Sequence, residues 1–294
     1  MNENGTIGVQ FTGGEPLLHP DIDKIIDFAS NKFKLVRIIT NGSLLKNHVN
    51  AFKNMSNLVL QLSLHSSDKN YYENFIGVNN QYENVKNNIK LVVDNNINHF
   101  VTLLITPKIY DSFNETVEML YEMNVKSVRI DGVDNLGRAS EELVIYNIAD
   151  LPEINKKINN VGSNYPDGFV LKLSEHFVDN VNRNNCAAGS KYITISYDGT
   201  IKFCNVCDNV LSIDNIFKDS YPNIFNRITD CRIDKIQEPV RDICGNCDDY
   251  DHCNLCMAIR LNEYFLNNKK CKWIKHNKNH LNKISRHKIC LNIY

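Results

Sequence analysis

Residues 7–16 of the chain have the sequence IGVQFTGGEP. The apolar start at Ile7 predicts a short buried strand that ends near Thr12, and Gly13 and Gly14 predict a sharp turn directly after it. Two glycines let the backbone turn and approach a ligand closely. The carboxylate of Glu15 can then accept hydrogen bonds from a ligand ammonium group. Taken alone, the stretch also fits a plain strand-to-helix turn with an exposed glutamate.

The same strand-then-helix pattern continues along the first half of the chain. Four further apolar runs predict strands, and the segments between them carry apolar residues at helical spacing; the runs are Val36–Thr40, Leu58–Leu64, Phe100–Ile105 and Val128–Ile130. The alternation predicts an α/β fold with a parallel sheet, either open and doubly wound or a partial barrel. A weaker region from about Ser140 to Asp179 predicts a helical connection and one strand, FVLKLSE.

Polar residues follow several of these predicted strands. Both parallel-sheet architectures bind ligands at the carboxyl ends of their strands. The residues found there are Gly13–Glu15, Thr40–Gly42, Ser63, His65 and Asp131. For Ser63 and His65, a hydrogen-bonded strand end is as good an interpretation as a ligand contact. His19 fits a turn residue better than a catalytic base.

Composition and charge exclude several classes of protein. The chain has 294 residues, of which 43% are hydrophobic, and a net charge of −1, so its overall field does not favour nucleic acid. No apolar run is long enough to cross a bilayer. The N-terminal sequence MNENGTIG lacks the basic and apolar regions of a signal peptide. These features predict a cytoplasmic protein without nucleic-acid or membrane partners.

Ten cysteines divide the chain in two, because all of them lie between Cys186 and Cys290. Clustered cysteines in a cytosolic protein are more often metal ligands than disulfides. Around them, Asp198-Gly199 between two short alternating runs predicts a β-hairpin. The rest of this half shows little apolar periodicity, so we expect metal to organise it. Thiolates at this density suit iron–sulfur clusters or zinc.

The GGEP motif after a strand, with the strand ends Thr40-Asn41-Gly42 and Ser63-Leu64-His65, resembles the radical S-adenosylmethionine (SAM) superfamily. The resemblance implies a TIM-like partial barrel of six strand–helix units with SAM at its strand ends. It implies that Gly13, Gly14 and Glu15 bind the amino group of SAM. It further implies that Thr40, Asn41 and Ser63 contact its ribose and carboxylate, and that Leu136 and Arg138 close over it.

The cysteine spacing resembles the SPASM domain, which holds two auxiliary [4Fe–4S] clusters. Twelve residues separate Cys186 from Gly199, four more precede Cys204, and a Cys-x2-Cys-x5-Cys-x2-Cys run follows. The resemblance implies that the outer cluster is held by Cys244, Cys247, Cys253 and Cys271. It implies that the inner cluster is held by Cys186, Cys204 and Cys256, with Cys207 as candidate fourth ligand and an open iron as the alternative. The family usually has three residues before the equivalent of Cys256, whereas this chain has two. Cys231 and Cys290 are expected to be free.

One family motif is missing from the printed sequence. Radical SAM enzymes carry Cys-x3-Cys-x2-Cys after their first strand, before GGEP, and this chain has no cysteine before Cys186. The barrel then lacks its first strand unit, and Ile7–Thr12 forms a sheet edge. We expect a truncated sequence; a partner chain that supplies the unit, or a non-catalytic relative, are the alternatives.

The resemblance implies an enzyme of the peptide-maturase type. Its domains are expected at residues 1–139 (barrel), 140–185 (connection) and 186–294 (SPASM). A 5′-deoxyadenosyl radical would abstract hydrogen from a peptide or protein, ribosomally made with a leader, and ferredoxin or flavodoxin would supply electrons. The alternative is a non-catalytic scaffold that binds iron–sulfur clusters or zinc; no catalytic base is assigned. The basic stretch Lys269–Lys288 is expected to be a solvated helix face that closes the last domain.

Overall fold

The computed structural model of the chain divides into two compact units, Met1–Asp179 and Asn180–Tyr294. The structure describes residues 5–106, 112–132, 151–173, 188–207, 212–230, 236–237, 239–248, 250, 261 and 271–281. Leu136, Arg138, Cys186, Cys231, Cys253, Cys256 and Cys290 lie outside the described residues.

A six-stranded parallel sheet forms the centre of the first unit. Its strands are Gly8–Phe11 (β1), Leu35–Thr40 (β2), Leu58–Ser63 (β3), His99–Ile105 (β4), Ser127–Gly132 (β5) and Val170–Leu173 (β6). They lie side by side in chain order. A doubly wound sheet reverses its strand order, whereas a barrel does not. The α/β class is therefore confirmed, and the order of the strands favours the barrel-type winding over the doubly wound one.

Helices connect these strands and cover one face of the sheet. They are Ile22–Lys32 (α1), Val49–Phe52 (α2), Lys69–Ile76 (α3), Tyr82–Asp94 (α4), Phe113–Glu122 (α5) and Leu151–Gly162 (α6). The segment between β2 and β3 forms a 3₁₀ turn, Leu45–Asn47, followed by α2. Helix α3 was not predicted; the Asp68 side chain accepts the backbone N–H of Tyr71 at its start, and Gly77 ends it in the left-handed conformation.

Alternate residues of each strand pack under the helices. Ile38, Leu60, Leu103 and Ile130 are fully buried there, together with helix residues such as Ile26. Successive side chains of a strand point to opposite faces. The residues between these core positions therefore lie on the opposite face of the sheet, which we call the inner face.

The second unit contains a three-stranded antiparallel sheet. Its strands are Thr194–Ile195 (β7), Thr200–Lys202 (β8) and Ser212–Asn215 (β9), and β7 pairs with β8 across the Asp198-Gly199 turn. The predicted hairpin is thus confirmed, while β9 was not predicted. Helices Tyr221–Asp230 (α7), Arg241–Cys244 (α8) and Lys272–His276 (α9) follow.

An apolar core packs the second unit more fully than its sequence suggests. Phe203, Ile224 and Trp273 are almost completely buried in it. The Trp273 indole N–H also donates to the backbone carbonyl of Gln237. The spaced apolar residues of α7 and α9 belong to this core, and the expectation that metal organises the segment stays a prediction. Lys272 and Lys275 are exposed on the other side of α9, which confirms the solvated basic face there.

Candidate functional site

The Glu15 carboxylate is fixed at the carboxyl ends of the first two strands. Its Oε1 accepts the Thr40 hydroxyl at 2.7 Å and the backbone N–H of Leu17 at 3.1 Å, and its Oε2 accepts the backbone N–H of Asn41 at 2.8 Å. Because β1 and β2 pair in parallel, the residues that follow them are brought to the same edge. Three donors hold the carboxylate in one orientation while lone pairs remain for a ligand donor.

Two glycines, Gly13 and Gly14, form the backbone turn directly before this carboxylate. Gly13 has φ +139°, and no atom lies within 4 Å of where a Cβ would be at Gly13 or Gly14. Both residues are exposed, so a ligand can approach the main chain closely. The turn after β2 is held by Thr40, whose Oγ1 accepts the backbone N–H of Gly42 at 3.0 Å. The structure therefore brings Gly13, Gly14, Glu15, Thr40 and Asn41 together.

The next strand ends in Ser63, which is half-buried. Two residues later, His65 is 8% exposed, and its Nδ1 accepts the backbone N–H of Leu104 at 3.2 Å. Burial lowers the pKa of His65 to about 4. The imidazole is therefore neutral at pH 7, and it ties β3 to β4 as a hydrogen-bonded strand end. His19 lies in an exposed turn, where its Nδ1 accepts the backbone N–H of Asp21.

Cys204 and Cys207 form a buried thiol pair just after β8. Their sulfur atoms lie 3.4 Å apart, and the backbone N–H of Cys207 donates to the carbonyl of Cys204. The hydrogen bond from the Cys207 thiol, with backbone N–H donors and nearby Lys202, lowers the pKa of Cys204 to about 7 against the opposing effect of burial. A thiol that ionises this readily suits metal ligation.

Cys244, Cys247 and Cys271 form a second thiol group. Cys244 ends α8, and Cys271 directly precedes α9, which packs against α8. Burial raises the pKa of Cys244, and so do the nearby Cys271 and Cys247. Neighbouring thiolates repel one another, and bound metal cations relieve this repulsion.

The donor chemistry of the two thiol groups fits iron–sulfur clusters. Within the described ranges no three His, Cys, Asp or Glu side chains converge closely enough to hold a single ion. A cluster distributes its thiolate ligands over separate irons, so its ligands need not meet at one point. Of the eight expected cluster ligands, Cys186, Cys253 and Cys256 lie outside the described residues, as do Leu136 and Arg138 of the expected SAM contacts.

Sequence reasoning missed the polar residues of the inner face. Arg37, Gln61, Thr102 and Arg129 occupy strand positions there. The available signal was their spacing, since each is a polar residue one position away from a fully buried one. Along an all-parallel strand, such a residue indicates a polar inner face.

Two family models match the chain. The model of the radical SAM superfamily matches residues 1–120, and the SPASM model, described as an iron–sulfur cluster-binding domain, matches residues 186–248. These two domains imply [4Fe–4S] clusters and SAM as cofactors.

Curated relatives with named roles match most of the chain. The antilisterial bacteriocin subtilosin biosynthesis protein AlbA of Bacillus subtilis is 26% identical over 279 residues, which cover 93% of this chain and 62% of AlbA. The sporulation killing factor maturation protein SkfB of Bacillus subtilis is 22% identical over 222 residues, covering 75% of this chain and 53% of SkfB. The chain thus spans between half and two thirds of the length of these relatives.

Solved structures show the same fold. Streptococcus suis SuiB bound to S-adenosylmethionine superposes with a TM-score of 0.70 at 16% identity, covering 92% of this chain and 65% of SuiB. Native anSMEcpe with bound AdoMet superposes with a TM-score of 0.63 at 16% identity, covering 97% of this chain and 86% of that protein. In the part of the chain that the structure describes, no helix has the length and apolar character of a membrane span.

Proposed function

This chain joins a radical SAM domain to an iron–sulfur SPASM domain, and from that premise we propose that it is part of a radical SAM maturase that modifies a peptide. The observation that carries the proposal is the Glu15 carboxylate, which Thr40 and Asn41 hold at the carboxyl end of a singly wound parallel sheet. Ligands of parallel sheets bind at this end. The same chain supplies two groups of thiols suited to iron–sulfur ligation.

The strand-end residues bind and orient SAM in this proposal. Glu15 accepts hydrogen bonds from the SAM ammonium, and the backbone of Gly13 and Gly14 makes room for the methionine part of SAM. The Thr40 hydroxyl holds the Glu15 carboxylate in place. Asn41 and Ser63 contact the ribose and the carboxylate of SAM. SAM bound beside a [4Fe–4S] cluster would, on one-electron reduction, give methionine and a 5′-deoxyadenosyl radical able to abstract a substrate hydrogen. Leu136 and Arg138 are proposed to close the site.

The thiol groups bind the two auxiliary clusters in this proposal. Cys204 and Cys207, with Cys186 and Cys256, hold the inner one, and Cys244, Cys247, Cys253 and Cys271 hold the outer one. Cys207 is proposed as a ligand because its sulfur is buried and lies 3.4 Å from that of Cys204. Clusters so placed relay electrons or bind substrate, and a reducing compartment such as the cytoplasm keeps their thiolates available.

A ribosomally made peptide with a leader is the proposed substrate, and ferredoxin or flavodoxin the proposed electron donor. The substrate proposal is supported by the names of the relatives, which concern the biosynthesis of a bacteriocin and the maturation of a killing factor. It is also supported by a structure of SuiB bound to its precursor peptide SuiA.

The proposal is tested with the native protein from its source, reduced anaerobically with SAM and a candidate precursor peptide. We expect 5′-deoxyadenosine and a peptide whose mass changes only when SAM is present. Glu15→Gln should lower the rate at limiting SAM at least about tenfold, because a hydrogen bond to a charged group contributes about 1.5–3 kcal/mol. Glu115→Gln, an exposed residue on α5, is the matched control and should change nothing. Equal rates for both variants would contradict the assignment of Glu15.

A further inference from the structure

The inner face of the sheet carries a polar patch made of Arg37 on β2, Thr102 on β4 and Arg129 on β5, in which Thr102 is level with Ser63 in the β3–β4 register. Each lies between two core residues of its strand, so its side chain points away from the helices. Thr102 and Arg129 are directly opposite each other in the β4–β5 register. Arg37 is three residues before Thr40, which places it roughly 10 Å along the strand from the Glu15 site.

Within this patch, the Arg37 side chain extends from β2 across the sheet to β4. Its guanidinium carbon lies 5.6 Å from the ring centroid of Phe100, which is on the same face of β4 as Thr102. One terminal nitrogen makes a long hydrogen bond of 3.4 Å to Oε1 of Gln10. Burial lowers the pKa of Arg37, and the positive charge of Arg129 lowers it further. The positive charges of these two residues therefore oppose each other on the inner face.

The charges of the patch do not balance within the described residues. Arg129 is paired with Asp131, whose Oδ1 accepts from Nε at 3.2 Å and from a terminal nitrogen at 3.0 Å. Arg37 has no carboxylate partner in the described part of the chain. Lys172, opposite Arg129 on β6, adds another positive charge. Asp131 is the single acidic residue among the described strand positions of this face.

Two buried polar atoms of the patch are also unsatisfied. Nε of Arg37 and Oγ1 of Thr102 make no hydrogen bond to any described residue, and Thr102 is only 5% exposed. Buried donors without a partner are rare in native proteins, because each costs the free energy of its lost hydration. An acceptor with negative charge would satisfy both atoms and balance the surplus positive charge, and a carboxylate matches the planar donors of a guanidinium.

We propose that this inner-face patch binds a carboxylate of the substrate, with Arg37 and Thr102 as hydrogen-bond donors and Arg129 as a second positive charge. The proposal deepens the proposed function and rests on it for the identity of the ligand as a peptide. The patch selects a substrate with an acidic side chain or a free terminal carboxylate near the residue that is modified. Thr102 is a binding residue in this account and takes no part in the chemistry.

Calorimetric titration of the full chain with small probes tests the proposal. The probes are N-acetyl-glutamate N-methylamide, its glutamine analogue, and N-acetyl-alanine, which carries only a terminal carboxylate. We expect binding of at least one carboxylate probe, and at least about tenfold weaker binding of the glutamine analogue. The carboxylate probe that binds more tightly shows whether the bound carboxylate belongs to an acidic side chain or to a chain terminus. The proposal is overturned if neither carboxylate probe binds more tightly than the glutamine analogue.

Variants test whether carboxylate binding depends on the patch itself, on the overall charge of the chain or on the SAM site. Arg37→Gln should weaken carboxylate binding about tenfold, whereas Lys90→Gln, which removes an exposed charge on α4, should leave it unchanged. Thr102→Val should weaken binding about threefold without lowering the thermal midpoint of the unliganded chain, because its hydroxyl has no described partner to lose. An unchanged affinity in Arg37→Gln, or a loss of SAM binding in that variant, would overturn the proposal. Since the probes need no catalysis, a failed maturase assay leaves this result interpretable.

Discussion

Among single side chains, Glu15 is the one on which the proposed SAM site depends most. Its carboxylate is half-buried and accepts three hydrogen bonds, one from Leu17 in the turn that follows it and two from Thr40 and Asn41 at the end of β2. A group fixed by so many donors loses little freedom when a ligand binds, so its interaction with an ammonium costs little ordering entropy. Thr40 is the most buried of the groups that fix it, at 2% exposure.

Thr40→Val tests this support directly. The variant keeps the shape of the side chain but loses the hydrogen bond to Glu15 and leaves the N–H of Gly42 without its acceptor. We expect the free energy of unfolding to fall by about 1–2 kcal/mol and SAM affinity to fall about fivefold. Urea unfolding and SAM titration measure the two effects. Thr40→Ser retains the hydroxyl and should lose less of both; equal losses in Val and Ser would contradict the role of the hydroxyl.

His65 makes the stability of the first unit depend on pH. Its pKa is about 4 in the folded chain and about 6.5 when unfolded. Between these values the unfolded state binds more protons, so stability falls as pH decreases from 6.5 to 4, by up to about 3 kcal/mol from this group. In His65→Asn, whose amide oxygen can replace Nδ1 as acceptor, this part of the slope should disappear. Chemical unfolding at several pH values measures it, with exposed His19→Asn as the variant that should retain the full slope.

The sequence predicts some of the proposed binding residues better than others, because their positions in the strands differ. Glu15 and Asn41 follow apolar strands inside glycine-containing turns, so the pattern marks them as strand-end polar groups. Arg37 and Thr102 lie inside strands, where only their position between buried residues marks them. Their proximity comes from pairing between strands far apart in the chain, which no local pattern contains.

Among the elements, the β7–β8 hairpin depends most on one backbone conformation. Gly199 has φ +81°, and a methyl group there would lie 2.5 Å from a ring carbon of Phe217. Phe217 is 77% exposed, so its own contribution to stability is small. The turn is also held by Asn215, whose side chain donates to the carbonyl of Asp198 and accepts the N–H of Phe217.

Gly199→Ala should therefore destabilise the second unit by more than the left-handed conformation alone would cost, which is about 1–2 kcal/mol. In a Phe217→Ala background the contact with the ring is gone, and the cost should fall to that of the conformation and of the remaining 3.0 Å contact with Oδ1 of Asn215. Unfolding followed by Trp273 fluorescence gives both values, because Trp273 is the single tryptophan and belongs to the core of this unit. A cost that is the same in both backgrounds would show that the ring does not restrict the turn.

Strongly periodic elements were predictable, and short ones were not. Strands β2 to β5 lie within one or two residues of their predicted bounds because their apolar runs are continuous. Helix α3 has the sequence KNYYENFI and buries Tyr72 and Glu73, so it lacks the repeated aliphatic residues that mark the longer helices. Strand β9 (SIDN) is four residues long and is stabilised by pairing with β8. In both cases tertiary contacts decide the structure.

The molecule as a whole consists of two units with separate cores. The family matches fall separately in the two units, the radical SAM model in the first and the SPASM model in the second. The general class and the cysteine-rich second half follow from the sequence, whereas the winding of the sheet and the apolar core of the second unit depend on contacts between distant residues.

Cluster removal should affect the second unit selectively. Metal that binds only the folded state stabilises that state. Chelation of iron under anaerobic conditions should lower the denaturant midpoint of the second unit, which Trp273 fluorescence reports. It should not change how the stability of the first unit depends on pH through His65. Fluorescence and far-UV circular dichroism follow the two effects. A Trp273 midpoint that does not change on chelation would mean that the apolar core alone determines the stability of this unit.

The central claim is that one chain binds SAM through Glu15 and iron–sulfur clusters through its thiols. Native mass spectrometry of the anaerobically reconstituted chain, with and without SAM, tests it most directly. The account predicts two [4Fe–4S] clusters, or about eight irons and eight sulfides, on each chain, and one SAM that is lost in Glu15→Gln and kept in Glu115→Gln. Zinc adducts without sulfide, or a chain that carries no SAM at any concentration tested, would contradict it.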